Sequence, residues 1–128
     1  MVDESILTPI KELVKILTKR HIRVSKVILY GSYAEGKNTE YSDIDIAVVS
    51  DDFGKDRIEE KMLLFRLGSW IDPRLEPIPL TLRALSEDTW VPLIYEIRTK
   101  GIELAITGRQ TGFPMNQHTT AVIPTCIY

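Results

Sequence analysis

The chain has 128 residues, is 44% hydrophobic, carries a formal charge of −2 and contains one cysteine, Cys126. That length suits one ordinary domain and its core but is short for two. A lone cysteine excludes an intrachain disulfide and a cysteine zinc cluster. A slightly acidic balance disfavours nucleic acid, whose binding is usually led by a basic surface. No apolar run approaches the length needed to span a bilayer, and the start MVDESILTPIKEL lacks the basic region and continuous apolar core of a secretory signal. The expected location is cytoplasmic, with no membrane partner.

Residues 5–20 place Ile6, Ile10, Leu13, Val14 and Leu17 at helical spacing, which predicts a helix packed on a sheet. Thr8 before Pro9 is expected to cap its well-formed part. Lys19, Arg20, His21 and Arg23 follow; cations there complement a helix C-terminus, and a patch facing phosphates or a partner is the alternative. Residues 24–30 are the first predicted strand, built on the β-branched and aromatic run Val27-Ile28-Leu29-Tyr30.

Gly31-Ser32 then forms a turn with a short helix over 31–36. Glycine lets backbone approach a ligand closely, and the free N–H groups of a tight turn favour a polyphosphate. In the polar loop 37–42, Lys37 reads as a solvent-exposed lysine or a phosphate contact, and Ser42 as a residue that closes the turn. Residues 43–50 are the second strand. Its alternation sends Asp43 and Asp45 to one face and Ile44, Ile46 and Val48 to the other. Two aspartates side by side on an apolar strand repel each other and resist desolvation. A divalent cation relieves both costs, and hard oxygen ligands suit Mg²⁺.

Asp51-Asp52-Phe53-Gly54 reads as a turn, and Asp56 to Trp70 as a helix whose Ile58, Met62, Phe65 and Trp70 are expected in the core. The segment 71–80 carries Pro73, Pro77 and Pro79, so it cannot be an ordinary central strand but can lie at a sheet edge or stop short. When extended, it puts Arg74, Glu76 and Ile78 on one face. Ser86-Glu87-Asp88 is expected to open another helix, with Pro92 in a first turn, Leu93, Ile94 and Ile97 as its apolar stripe and Gly101 as its end. Ile102 to Ile106 can form a last strand. Residues 1–106 thus read as the domain, and 107–128 as an appendage in which Val122, Ile123, Ile127 and Tyr128 could dock.

The string G-S-x(10)-D-x-D, here Gly31, Ser32, Asp43 and Asp45, resembles the signature of the polymerase-beta-like nucleotidyltransferases, in their minimal single-domain branch. The resemblance implies an α/β (α+β) fold, a small mixed sheet with helices packed on one side. It implies Gly31 and Ser32 as nucleotide-binding residues, and Asp43 and Asp45 as catalytic ligands of Mg²⁺, of which two ions are expected. It also asks for a third acid on the neighbouring strand. Glu76 matches best, with Asp72 as the alternative and a surface glutamate beside Arg74 as the plain structural reading.

The activity implied is transfer of a nucleoside monophosphate, AMP from ATP, to an acceptor hydroxyl. The acceptor is expected on a small helical HEPN-type protein, with this chain as the antitoxin of a toxin–antitoxin pair. A non-catalytic antitoxin or adaptor that only covers its helical partner is the alternative. An apolar surface beside the site, from the helix after Asp56 or from the tail, is expected to bind that partner.

Overall fold

The computed structural model of the protein describes residues 2–106 and the backbone of residues 122–123. In chain order the elements are α1 (Glu4–Lys19), β1 (Lys26–Tyr30), α2 (Ser32–Glu35), β2 (Ile44–Val49), α3 (Arg57–Ile71), β3 (Leu75–Leu80), α4 (Leu82–Glu87), α5 (Pro92–Lys100), β4 (Ile102–Leu104) and β5 (Val122–Ile123). Among the described residues the strands form one sheet in the order β3-β2-β1-β4-β5. Only β2 and β3 run parallel; the other neighbours are antiparallel. A parallel pair needs a crossover, and α3 supplies it. The fold is mixed α/β, as expected.

Helix α1 starts earlier than its Thr8-Pro9 pair suggests. Asp3 is the cap, its carboxylate accepting the Ser5 N–H at 3.3 Å, and Pro9 lies inside the helix. Proline donates no hydrogen bond to the carbonyl four residues back. That carbonyl, Ser5 O, accepts instead from Arg74 Nη2 at 3.3 Å, so the break in the helix ladder ties α1 to the start of β3.

The sheet is apolar on both sides. Val27 and Leu29 of β1 and Ile44, Ile46 and Val48 of β2 point to one face, where Ile10, Leu13 and Leu17 of α1 and Leu64 of α3 bury them. Ile28, Tyr30, Ala47 and Val49 point to the other face and pack with Leu85 of α4 and Ile97 of α5. The helical cover expected on one side is the α1–α3 layer, and α4 and α5 add a smaller cover on the second side. Gly101 ends α5 in extended backbone. A Cβ there would strike Ile97 O and Ile28 Cγ2, so this glycine serves close approach of the helix end to β1.

Three further readings change. Ser86-Glu87 closes α4, which Thr81 opens by accepting the Ala84 N–H at 3.0 Å, and α5 begins at Pro92. In α3 the buried positions are Leu64 and Gly68, whereas Ile58 (74% exposed), Met62, Phe65 and Trp70 (85% exposed) face solvent. The core reading of those four is therefore overturned: α3 meets β3 through a narrow seam and leaves a second apolar stripe uncovered. The third concerns only where the appendage docks: Val122 and Ile123, expected to be able to dock, pair with β4 as an outer strand, while Ile127 and Tyr128 lie outside the described residues.

Strand β3 is an edge strand, as its prolines require. Arg74 O and Leu80 O accept from Ile44 N of β2 and from Ser50 N just past its end. Residues of that parity thus face β2, and Pro77 and Pro79, of opposite parity, turn their missing N–H toward the open edge.

Candidate active site

The second-face core runs out at one end of the sheet, and acids take over there. Along β2 the row reads Val49, Ala47, Asp45; along β3 it reads Leu80, Ile78, Glu76. The parallel register sets Asp45 directly opposite Glu76, and the antiparallel register sets Tyr30, the last residue of β1, opposite Asp45. Tyr30, Asp45 and Glu76 therefore stand on one side of three adjacent strands. Asp43 lies just before β2 and is exposed, as is Glu76, while Asp45 is half-buried.

Asp45 is pushed up to about 6, first by desolvation and then by the negative charges of Asp43, Glu76 and Glu96. Tyr30 is raised well above the ordinary phenol range, first by burial and then by Asp45, Glu96 and Glu76. No described residue gives Asp43, Asp45, Glu76 or Glu96 a salt bridge or a side-chain hydrogen bond. Unpaired carboxylates gathered beside an apolar core are costly unless something positive joins them.

Gly31 follows Tyr30 with φ +77, a left-handed backbone that disfavours other residues. A Cβ on it would collide with Asp45 Oδ2 and come within 3.2 Å of Asp45 Cγ. The turn is therefore pressed against the carboxylate. Gly31 O accepts from Ala34 N and Glu35 N, both at 3.1 Å. Ser32 and Tyr33, the first residues of α2, have no intrahelical acceptor for their N–H groups. Ser42 closes its loop as read, its hydroxyl accepting the Thr39 N–H at 2.8 Å.

Asp72 is held elsewhere. Its carboxylate accepts Arg74 N at 2.9 Å, Nε at 3.1 Å and Nη2 at 2.8 Å, and those bonds pull its pKa below the usual carboxylate range. Arg74 is thus spent on Asp72 and Ser5 O, and Glu76 is left without it. Lys37 pairs with Glu35 at 3.6 Å, and Arg23 with Asp52 at 2.9 Å.

Oxygen donors without partners suit a hard divalent cation completed by phosphate and water. Among the described residues no three acidic, histidine or cysteine side chains already form a closed ligand set, so the exposed Asp43 and Glu76 would have to turn toward Asp45 to share one. A cleft of about 270 Å³ opens on the opposite side of the sheet, lined by Val2, Asp3, Ser5, Ile6, Leu29, Tyr33 and Asn38; none of Asp43, Asp45, Glu76 and Glu96 lines it.

Two residues of the site lay outside the sequence reading. Tyr30 had the appearance of strand core, which it also is. Glu96 had no motif to mark it; α5 carries it, and its charge acts on Asp45 and Tyr30.

Residues 10–100 match the nucleotidyltransferase domain family. The chain belongs to that family. It is 38% identical over 82 residues, 57% of its length, to the "Putative protein adenylyltransferase MJ1305" of Methanocaldococcus jannaschii. The chain spans about half the length of that curated relative, 52%. Among solved structures it resembles a "putative nucleotidyltransferase from Sulfolobus solfataricus", with a TM-score of 0.58, 20% identity and 87% of each chain covered, a likeness of fold alone. It also resembles a chain of a "toxin-antitoxin with AMP-PNP", with a TM-score of 0.53, 30% identity, and 75% of this chain and 69% of the other covered. Among the described residues no helix is long and apolar enough to cross a membrane.

Proposed function

We propose that this nucleotidyltransferase-domain chain transfers AMP from ATP, in a Mg²⁺-dependent reaction, to a hydroxyl on a small helical HEPN-type partner, as the antitoxin of a toxin–antitoxin pair. The observation that carries the reading is the unpaired acid row, Asp45 in register with Glu76, pressed against a Gly31 that tolerates no side chain. The protein-adenylyltransferase name of one relative and the AMP-PNP toxin–antitoxin of another support the acceptor class and the nucleotide.

Asp43, Asp45 and Glu76 would hold Mg²⁺, which supplies neutralisation of the phosphates and a more acidic acceptor hydroxyl. The Gly31-Ser32 turn would hold the departing β and γ phosphates through its N–H groups and the Ser32 hydroxyl, close enough to Asp45 to bring triphosphate and carboxylates together. The uncovered stripe Ile58, Met62, Phe65 on α3, with Trp70 beyond it, is the surface expected to bind the partner. Positioning two reactants supplies much of a transferase's rate enhancement; the stripe lies on the α1–α3 side of the sheet, so a partner held there would reach the acid row on the second face around the β3 edge.

A second reading, an adaptor that acts only by covering its helical partner, is favoured by that same stripe. One experiment separates the two. The chain co-purified with its partner is incubated with α-labelled ATP and Mg²⁺, beside Asp43→Ala. Label on the partner from wild type but not from the variant supports transfer; a stable complex that never takes label leaves the adaptor.

A further inference from the structure

We propose that Arg74 is a positioning residue for the acid row: clamped by Asp72 and by Ser5 O, it pins the start of β3 so that Glu76 stays level with Asp45. This deepens the transfer reading above and rests on it.

The bonds converge on one residue. Asp72 is the C-cap of α3, its N–H donating to Gly68 O at 2.9 Å, so its carboxylate is carried on a fixed helix end. Into that carboxylate Arg74 donates its own N–H at 2.9 Å, Nε at 3.1 Å and Nη2 at 2.8 Å. The same Nη2 donates to Ser5 O at 3.3 Å, the carbonyl that Pro9 leaves free on α1. On the strand side Arg74 O accepts the Ile44 N–H at 2.7 Å. Ile44 is fully buried and stands between Asp43 and Asp45. One residue thus joins the end of α3 and the start of α1 to the backbone between the two aspartates.

Glu76 needs that support more than the aspartates do. Strand β3 lies at the sheet edge, with β2 as its strand neighbour among the described residues, and segments with few neighbours open locally most easily. The Glu76 side chain is exposed, and no ion pair or side-chain hydrogen bond from a described residue holds it. Its place is therefore set by the backbone: Asp45 faces Glu76 because Ile44 faces Leu75. A slip of one residue would send Glu76 to the other face of the sheet. Arg74 blocks that slip from two residues away, about 7 Å along the strand.

A matched clamp stands at the far end of the same strand. Arg23 donates to Asp52, in the turn after β2, through the same three groups: its N–H at 2.8 Å, Nε at 3.3 Å and Nη2 at 2.9 Å. The Arg23 side chain is 84% exposed, against 36% for Arg74, and exposed pairs contribute little to stability. Arg74 adds the bond to a helix carbonyl and sits beside the acids. Arginine suits the task because a planar guanidinium serves a carboxylate and a carbonyl at once, whereas a lysine ammonium keeps the charge without the fork.

The test compares Arg74→Lys with Arg23→Lys. Calorimetric affinity for Mg²⁺ in the presence of AMP-PNP should fall about 10-fold in Arg74→Lys, the lower range for a residue that orients a metal ligand. In Arg23→Lys it should stay within about twofold of wild type, as for an ordinary surface change. A second readout needs no metal. Amide hydrogen exchange at Ile44 should quicken in Arg74→Lys, while Ser50, whose N–H donates to Leu80 O at the other end of the β2–β3 pair, keeps its wild-type rate.

Equal affinity in Arg74→Lys and wild type overturns the proposal. So do equal losses in the two variants, or equal quickening at Ile44 and Ser50, which would mark a general loosening. If Arg74→Lys does not fold, Asp72→Asn takes its place, with a smaller loss of Mg²⁺ affinity in the same direction. Failure of wild type to bind Mg²⁺ with AMP-PNP at all is a different result: it removes the transfer reading itself, and this role with it.

Discussion

Asp72 and Asp45 are both half-buried aspartates near the ends of β3 and β2, and the chain treats them in opposite ways. Asp72 accepts three bonds from Arg74, and its pKa is drawn down. Asp45 has no cation partner among the described residues and is pushed up to about 6 by desolvation and by the charges of Asp43, Glu76 and Glu96. The first carboxylate is satisfied by its own chain and fastens β3 to α1 through Arg74. The second is kept short of positive charge, a standing cost that a protein carries where a ligand is to supply the charge. The same contrast runs through the apolar residues, with Leu64 sealed against the sheet and Phe65 beside it left in water.

The strongest way to break this contrast is to crowd the unpaired acid. Gly31→Ala forces a Cβ onto Asp45 Oδ2 and places alanine at positive φ. Nucleotidyl transfer should fall by about 10³-fold, equivalent to about 4 kcal/mol of barrier. Labelled-AMP transfer at saturating Mg²⁺ measures it, and transfer within tenfold of wild type would mean that the turn has no part in the site.

The paired acid should matter for stability. Asp72→Asn removes charge-assisted bonds and should cost about 1.5 kcal/mol in urea unfolding at pH 7. The sign with pH follows from its lowered pKa. Its contribution is fully present above the ordinary carboxylate pKa and is lost as pH falls through the depressed native value, so variant and wild type should converge in acid.

Asp45→Asn should do the reverse. The native pKa is raised from the ordinary value of 3.8 to about 6, so the folded protein binds the proton more tightly than the unfolded chain does. Wild-type stability therefore falls as pH rises through that window. Removing the charge should raise stability at pH 7 without Mg²⁺ by about 1 kcal/mol, discounted for solvent screening of a partly exposed group, while metal-dependent triphosphate binding weakens. If thermal unfolding instead shows Asp45→Asn destabilised and Asp72→Asn stabilised, the two settings have been assigned the wrong way round.

The smallest effect is at the outer stripe of α3. Phe65→Ser should change stability by no more than about 0.5 kcal/mol, as at other exposed positions, yet weaken capture of the partner at matched concentration. A large loss of stability would mean that Phe65 is covered within the chain after all.

Much of the site was legible because its parts are close in sequence and chemically constrained. Glycine at the close approach and aspartates two apart on an alternating strand leave few other interpretations, and the prolines of 71–80 rule out an ordinary central strand. Between Glu76 and Asp72 the residues leave the third acid open; the register puts Glu76 opposite Asp45 and Arg74 holds Asp72, which supports the proposal of Glu76. Composition misled at α3, where helical spacing of Ile58, Met62 and Phe65 marks an apolar stripe but does not say whether the sheet or the solvent meets it.

By itself, the sequence determined the strand–turn–strand frame with Gly31, Ser32, Asp43 and Asp45, since backbone freedom and alternation act over a few neighbouring residues. Tertiary structure alone decided that Glu76 and Tyr30 stand opposite Asp45 and which side of α3 stays bare. Those outcomes depend on strand register and helix docking between residues far apart along the chain, and no local pattern encodes the pairing of Asp45 with Glu76.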